Sequence, residues 1–360
     1  MRILRVAQNL YPEVPGGGSY HVHAMSRDQA AMGHDVTVLT VSDDESLPRR
    51  EERDGYTIVR RSATVELLNN EISLGIARFL QTAGNFDVIH AHSHLYFSTN
   101  LAALNRVLDG VPLAITNHGL YSQNALEWLF DLYLRTGGRW TFNQADIVFC
   151  YTQEDKERVR DFGVTSPIEV IANGVDTDRF TPDGPPSERI DHEGPVVLFV
   201  GRLVEGKRPQ DAVRAVSRLP TNTNARLYVV GDGPMRPQLE EMSHDRVEFL
   251  GRVPYNEMPA TYRAADALLL PSRAEGLPRT VLEAFASGVP VVSSYLEHTA
   301  PVVQRAGETV AIGNIEEYQA ALERVLDEPG LGMTGRDIAV EDFRWDTTVE
   351  RTTKELQGLL

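Results

Sequence analysis

One pattern constrains this chain more than any other. Short apolar runs with strand character alternate with amphipathic helical stretches, in two series separated by a single break. Runs of that kind, joined by helices, build parallel sheets covered on both faces, so the fold class is α/β and doubly wound. The first series has strands near RILRVAQ, DVTVLT, YTIVRR, DVIHA, PLAITN, DIVFC and EVIAN, with helices predicted over residues 21–32 and 97–108. The break is FTPDGPPSERIDHEGP, residues 180–195, where four prolines and scattered charges end all periodicity and read as a linker. The second series has strands at PVVLFVG, RLYVVG, VEFLG, ADALLL and VPVVSS, with helices over 211–219, 235–242 and 281–287. A polar amphipathic helix over 347–360 follows, with no strand after it.

Length agrees with this division, since 360 residues exceed one ordinary core and fit two domains. No apolar run approaches the roughly 18 residues that a membrane-spanning helix needs. The N-terminal MRILRVAQ is strand-like and lacks an apolar signal core, so no secretion signal is expected and the expected location is cytoplasmic. Cys150 is the only cysteine, which excludes an internal disulfide; it reads as a buried structural thiol. A net charge of −16 argues against general affinity for nucleic acid. Of the 35 basic residues only Lys156, Lys207 and Lys354 are lysines. Such an acidic, lysine-poor composition resembles that of haloarchaeal proteins, which implies a fold that needs salt.

In open parallel sheets ligands bind beyond the carboxyl ends of strands. The first strand is followed by PEVPGGGSYHVH, where Gly16, Gly17 and Gly18 leave backbone N–H groups open to an anion at the start of a helix. A merely flexible loop is the other reading. The dinucleotide fingerprint fails there, because His21 stands where the third glycine belongs. The first strand of the second series runs into GRLVEGKRP, placing the cations Arg202 and Lys207 on one short loop; they suit a diphosphate, or are solvated surface charges. The segment AEGLPRTVLEAFASGVPVV carries Glu275 and Glu283. Glu283 also fits a capping box with Thr280, whereas Glu275 has no evident structural task. His90, His92 and His118 gather at strand ends. They suit hydroxyl or phosphate contacts better than a metal, because no cysteine or carboxylate cluster joins them. Asp176 and Asp178 form a D-x-D just before the linker and read as a turn.

Taken in order, these segments resemble family 4 of the retaining glycosyltransferases over nearly the whole chain. The glycine loop with its first helix, DVIHAHS, VIANGVDTDRF, GRLVEGK, VVGDGP, FLGRVP, AADALLLPSRAEG and the Glu275-x7-Glu283 segment carry the likeness. The resemblance implies the GT-B architecture: two Rossmann-like domains facing a central cleft, residues 1–183 and 184–343, with a C-terminal helix at 344–360 crossing back to the first. It implies that Arg202 and Lys207 hold a donor diphosphate, assisted by backbone N–H groups at Gly16 and Gly17. The base would lie near Arg252, Val253 and Leu282, Glu283 would accept from ribose hydroxyls, and Glu275 and His118 would face the transferred sugar. Two regions depart from the family pattern. Pro278 and Arg279 replace a Gly and a Leu beside the sugar, and SYLEHTAPVVQRAG stands where a glycine pair and Pro-Glu are usual.

Breaking a nucleotide sugar leaves negative charge on the diphosphate while an oxocarbenium ion develops at the anomeric carbon, so cations are needed at one end and an anion at the other. The resemblance implies transfer with retention from a nucleoside-diphosphate sugar, UDP being commonest in such a family, and the two cations make the expected transfer independent of a metal and of any cofactor. The expected acceptor is a glycan or a polyprenyl-phosphate-linked glycan of archaeal glycoprotein or surface polysaccharide synthesis. A nucleotide-sugar epimerase of the same architecture and a noncatalytic binding protein are the alternatives; the latter would be expected to lose Glu275 or Lys207, and neither is lost. Residues 127–140, EWLFDLYLRTGGRW, read as a core helix with a polar edge or as a peripheral membrane contact.

Overall fold

The computed structural model describes residues 1–67, 70–120, 131–328 and 330–360. The described residues form two compact units, one of residues 1–67, 70–120, 131–172 and 348–360 and the other of residues 173–328 and 330–347. The sequence places the boundaries at 183/184 and 343/344. Residues 173–183 group with the second unit because their contacts lie there. Val175 pairs with Arg344, the Arg336 guanidinium donates to the carbonyls of Thr177 and Phe180, and the Phe180 ring packs against Tyr255 and Tyr262.

The strands are numbered β1 (Arg2–Val6), β2 (Asp35–Val41), β3 (Arg50–Arg53), β4 (Tyr56–Arg61), β5 (Val65–Leu67), β6 (Asn70–Ile72), β7 (Val88–His92), β8 (Leu113–Thr116), β9 (Ile147–Cys150) and β10 (Ile168–Val170) in the first unit. Its main sheet has the order β10-β9-β8-β7-β1-β2-β4-β3, parallel except for the edge strand β3. β3 and the β5–β6 hairpin were not legible, since REER is wholly polar and VEL and NEI, at three residues each, are too short for an alternation to stand out. Both faces of the sheet are covered. Leu4, Ile89, Ile115 and Val148 enter one core, while their neighbours Ile3, Val88, Ala114 and Phe149 enter the other. The C-terminal helix Trp345–Gln357 contributes Leu356 to the second of these cores. Its Thr348 and Arg351 donate to the carbonyls of Ala172 and Val170, and its Thr353 accepts from Gln29. The helix thus packs on the first unit.

The second unit is one parallel sheet of β11 (Val196–Val200), β12 (Arg226–Val230), β13 (Val247–Gly251), β14 (Ala267–Leu270), β15 (Val291–Ser294) and β16 (Gly307–Val310), in the order β13-β12-β11-β14-β15-β16. The order reverses at β11 and β14 here, and at β1 and β7 in the first unit, because the chain goes outward from a central strand and then returns to its other side. Those are the switch points at which loops diverge and leave a crevice. Gly231 illustrates the local cost of this layout. Its φ is +129°, and a Cβ there would lie 1.9 Å from the Gly201 carbonyl oxygen, so only glycine lets the loops after β11 and β12 lie against each other.

Candidate active site

In the second unit the switch point gathers the charged residues singled out by sequence. β11 leads through Gly201 and Arg202 into a 3₁₀ turn, Glu205–Lys207, and β14 leads into the loop carrying Glu275. The Arg273 N–H donates to the Gly206 carbonyl at 2.8 Å and ties the two loops together. Consequently the Lys207 ammonium and the Glu275 carboxylate form an ion pair, with only 15% and 7% of their side chains exposed. His298 bonds the Glu275 carbonyl from the loop after β15. Arg202 lies on the same loop as Lys207 and is exposed; Arg252 is exposed and Val253 half-buried just after β13. Leu282 is fully buried, next to Glu283 on the same helix.

Glu283 is not a helix cap. The helix begins at Arg279 with Pro278 as its N-cap and no capping side chain, so Thr280 already lies within it and the expected capping box does not form. Instead both carboxylate oxygens accept from tyrosines: Oε1 from Tyr255 at 2.9 Å and Oε2 from Tyr262 at 3.1 Å. Arg279 stands 3.6 Å from Oε1. Burial pushes the Glu283 carboxyl above its usual range, opposed by the Arg279 guanidinium and the two hydroxyls. Arg279 also donates to the Gly174 carbonyl and to the Tyr255 hydroxyl and lies over the Trp345 ring. The replacement of an apolar residue by Arg279 thus installs a buried cation beside Glu283. Tyr255, Tyr262 and His298 escaped notice in the sequence, because single aromatic or imidazole groups on helices and loops carry no spacing signal.

The first unit concentrates imidazoles. The helix Gly17–Ala31 starts from Gly16 with no side-chain cap, and Gly16, Gly17 and Gly18 are exposed. A Cβ at Gly18 would lie 3.7 Å from His118 Nδ1, so the glycine loop and His118 share one corner. His118 Nε2 meets His92 Nδ1 at 3.0 Å, and His118 Nδ1 meets the Tyr151 hydroxyl at 2.9 Å. His90 is engaged elsewhere, with Arg5 at 3.3 Å and Thr116 at 2.7 Å. The three histidines therefore form a string of contacts and do not converge on a point, and among the described residues no group of three His, Cys, Asp or Glu is arranged to hold a metal ion. Burial drives all of them toward the neutral form: His90 and His92 well below the usual imidazole value, His118 down to about 4 and His94 to about 3. Burial likewise lowers Arg5 to about 9 and raises the Cys150 thiol to about 12. Asp176 accepts from the N–H groups of Asp178 and Arg179, which makes the D-x-D a turn. Residues 127–130 of the expected amphipathic segment lie outside the described residues; no described helix is long and apolar enough to cross a membrane.

Comparison with known proteins follows the same division. The model of Glycosyltransferase Family 4 matches residues 15–179, and that of Glycosyl transferases group 1 matches residues 194–328. Glycogen synthase of Mycobacterium tuberculosis is 28% identical over 98% of this chain and 94% of its own length. A GDP-mannose-dependent alpha-(1-6)-phosphatidylinositol monomannoside mannosyltransferase of Mycolicibacterium smegmatis is 27% identical over 97% of each chain. Among solved structures, sucrose-phosphate synthase of Thermosynechococcus elongatus matches with a TM-score of 0.84 at 20% identity, covering 99% of this chain and 98% of that one. Anabaena HepE in complex with UDP and glucose matches with a TM-score of 0.80 at 19% identity, covering 99% of this chain and 100% of that one. At such identities the structural matches establish the fold, of the GT-B type.

Proposed function

The chain belongs to glycosyltransferase family 4, the glycosyl transferases group 1, and is a transferase enzyme; on that footing we propose that it moves a hexose-type sugar, with retention, from UDP to a glycan or polyprenyl-phosphate-linked acceptor. The observation that carries this reading is the meeting of Lys207 and Glu275 at the switch point of the second sheet, where a cation for the leaving diphosphate adjoins an anion for the oxocarbenium ion. Donor binding exchanges the Lys207 partner: phosphate oxygens take over the ammonium, and the carboxylate of Glu275 is released toward the sugar. Arg202, exposed on the same loop, supplies the second cation. These two cations on one loop meet the charge of the diphosphate without a metal ion, and the exposed backbone N–H groups at Gly16 and Gly17 offer an anion-binding turn within the first unit. Arg252 and Val253 border the base, and Glu283, which keeps further lone pairs beyond its tyrosine contacts, accepts from the ribose hydroxyls. The acceptor attacks the face the diphosphate leaves, and the departing phosphate helps to take its proton.

UDP is preferred because HepE was solved with UDP and glucose, although the mannosyltransferase relative is GDP-dependent by name. That relative's phosphatidylinositol substrate likewise favours a lipid-linked acceptor, reached from the cytoplasmic face of a membrane. The test is a thermal-shift panel in molar potassium chloride with UDP, GDP, ADP and NAD at equal concentration. A ligand at a hundred times its Kd stabilises by about 2.7 kcal/mol. A rise with UDP and none with NAD is expected; a rise with GDP alone reassigns the donor. No rise with any nucleotide would remove the donor site from the second unit.

A further inference from the structure

We propose that Tyr151 is a positioning residue for His118, fixing it as the Nδ1–H tautomer so that the ring offers a lone pair, and not a proton, at Nε2. The inference rests on the transferase reading for its consequence, but on hydrogen-bond accounting for its substance. Tyr151 follows β9, and its hydroxyl, 6% exposed as a residue, lies 2.9 Å from His118 Nδ1 and 3.4 Å from His21 Nδ1. The His21 ring stands nearly perpendicular to that of His118 with centroids 5.3 Å apart. On the other edge of His118, Nε2 faces His92 Nδ1 at 3.0 Å. His92 is 2% exposed, and its own Nε2 has no hydrogen-bond partner among the described residues.

Each neutral imidazole has one donor and one acceptor nitrogen, so the string has two consistent assignments. In the first, Tyr151 donates to His118 Nδ1, His118 Nε2–H donates to His92 Nδ1, and His92 must carry its proton on Nε2. That strands a buried N–H with nothing to receive it. In the second, His118 Nδ1–H donates to the Tyr151 oxygen, Tyr151 donates to His21 Nδ1, and His92 Nδ1–H donates to His118 Nε2. His92 Nε2 is then a bare acceptor. A buried donor without a partner is the rarer and costlier defect, so the second assignment holds. Only the tyrosine hydroxyl can serve it, because it must accept on one side and donate on the other.

The chemistry follows. As the Nδ1–H tautomer, His118 presents only an acceptor at Nε2; a ligand hydroxyl can bridge the pair, accepting from His92 Nδ1–H while donating to His118 Nε2, so that no buried donor is stranded, whereas a phosphate oxygen, which is only an acceptor, finds no proton at His118 Nε2. Tyr151 thereby makes the corner beside Gly18 selective for a sugar or acceptor hydroxyl and assigns the phosphates to other groups. His21 and Tyr151 are thus parts of the corner that no spacing rule marks.

The experiment is long-range ¹H–¹⁵N NMR of histidine-labelled protein, with the His118 resonances assigned by His118→Gln, on the wild type and on Tyr151→Phe, together with turnover of UDP-glucose. The wild type should show His118 as the Nδ1–H tautomer. In Tyr151→Phe that preference should collapse to a mixture, and kcat should fall about tenfold, the worth of one neutral hydrogen bond, with KM within about twofold. An Nε2–H tautomer in the wild type, an unchanged tautomer in Tyr151→Phe, or an unchanged kcat would overturn the proposal. If the wild type does not turn over UDP-glucose, the donor reading fails on its own and the tautomer measurements still decide the role of Tyr151.

Discussion

At the scale of single residues, the site is defined by charges that neutralise one another before any ligand arrives. Lys207 and Glu275 are paired and mostly buried, so each removal exposes the other as an uncompensated charge. Lys207→Ala should lower kcat by about 10²-fold or more, as loss of one donor to a developing anion does. Steady-state rates alongside melting temperatures check this, and a variant that stays folded and active contradicts the assignment. The buried imidazoles make a separate prediction about pH. His90, His92 and His94 are held neutral by burial, with folded values below the ordinary 6.5. An unfolded chain would protonate them near that value, so the unfolded state binds more protons below it and stability falls with pH. Stability is therefore full above pH 6.5 and is lost progressively as pH falls below it, at up to about 1.4 kcal/mol per histidine for each pH unit. Urea midpoints at pH 7.5 and 5.5 should differ accordingly, and equal midpoints would refute the buried-neutral assignment. Much of this residue-level picture was legible: Lys207, Glu275, Glu283 and His118 stand out because charges and imidazoles after apolar strands are conspicuous. Their partners were not, since Tyr255 and Tyr262 reach Glu283 from elements far along the chain and only folding reveals that meeting.

At the scale of elements, apolar runs such as VVLFV and ALLL announced buried parallel strands because side chains on both faces must be apolar. The edge strand β3 escaped for the complementary reason, being wholly polar, and the β5–β6 hairpin because its strands are only three residues each. The start of the Glu283 helix was misplaced because Thr280-Val-Leu-Glu283 satisfies the capping pattern, yet Pro278, with its fixed φ, sets the start earlier. Two elements carry testable weight. Gly231→Ala forces a Cβ toward the Gly201 carbonyl at a positive φ, and should cost at least about 2 kcal/mol of stability by denaturant titration. In the C-terminal helix, Leu356 is fully buried in the first unit's core, so Leu356→Ala should cost about 2 to 5 kcal/mol. A change below 1 kcal/mol, on the order of a surface substitution, would mean that this helix is dispensable for the unit.

At the scale of the whole molecule, the dominant fact is a net charge of −16 with only three lysines among 35 basic residues. Many of the arginines are spent internally: Arg53 and Arg60 share Glu13 and Glu51, Arg106 is paired with Asp146, and Arg324 with Glu308. Such pairs leave the excess carboxylates to repel one another across the surface. That repulsion reaches about 10 Å at 0.1 M salt and only about 3 Å at 1 M, so salt acts mainly on the unpaired surplus and hardly on buried pairs such as Lys207 with Glu275. Melting temperature should therefore rise as potassium chloride is raised from dilute buffer to molar concentration. The conversion is roughly 2 to 4 °C per kcal/mol for units of this size. Potassium chloride and potassium glutamate should act alike, because screening depends on ionic strength and not on the identity of the anion. If melting is the same in dilute and molar salt, self-repulsion is not what limits this fold, and the acidic composition loses its bearing on the conditions the enzyme needs.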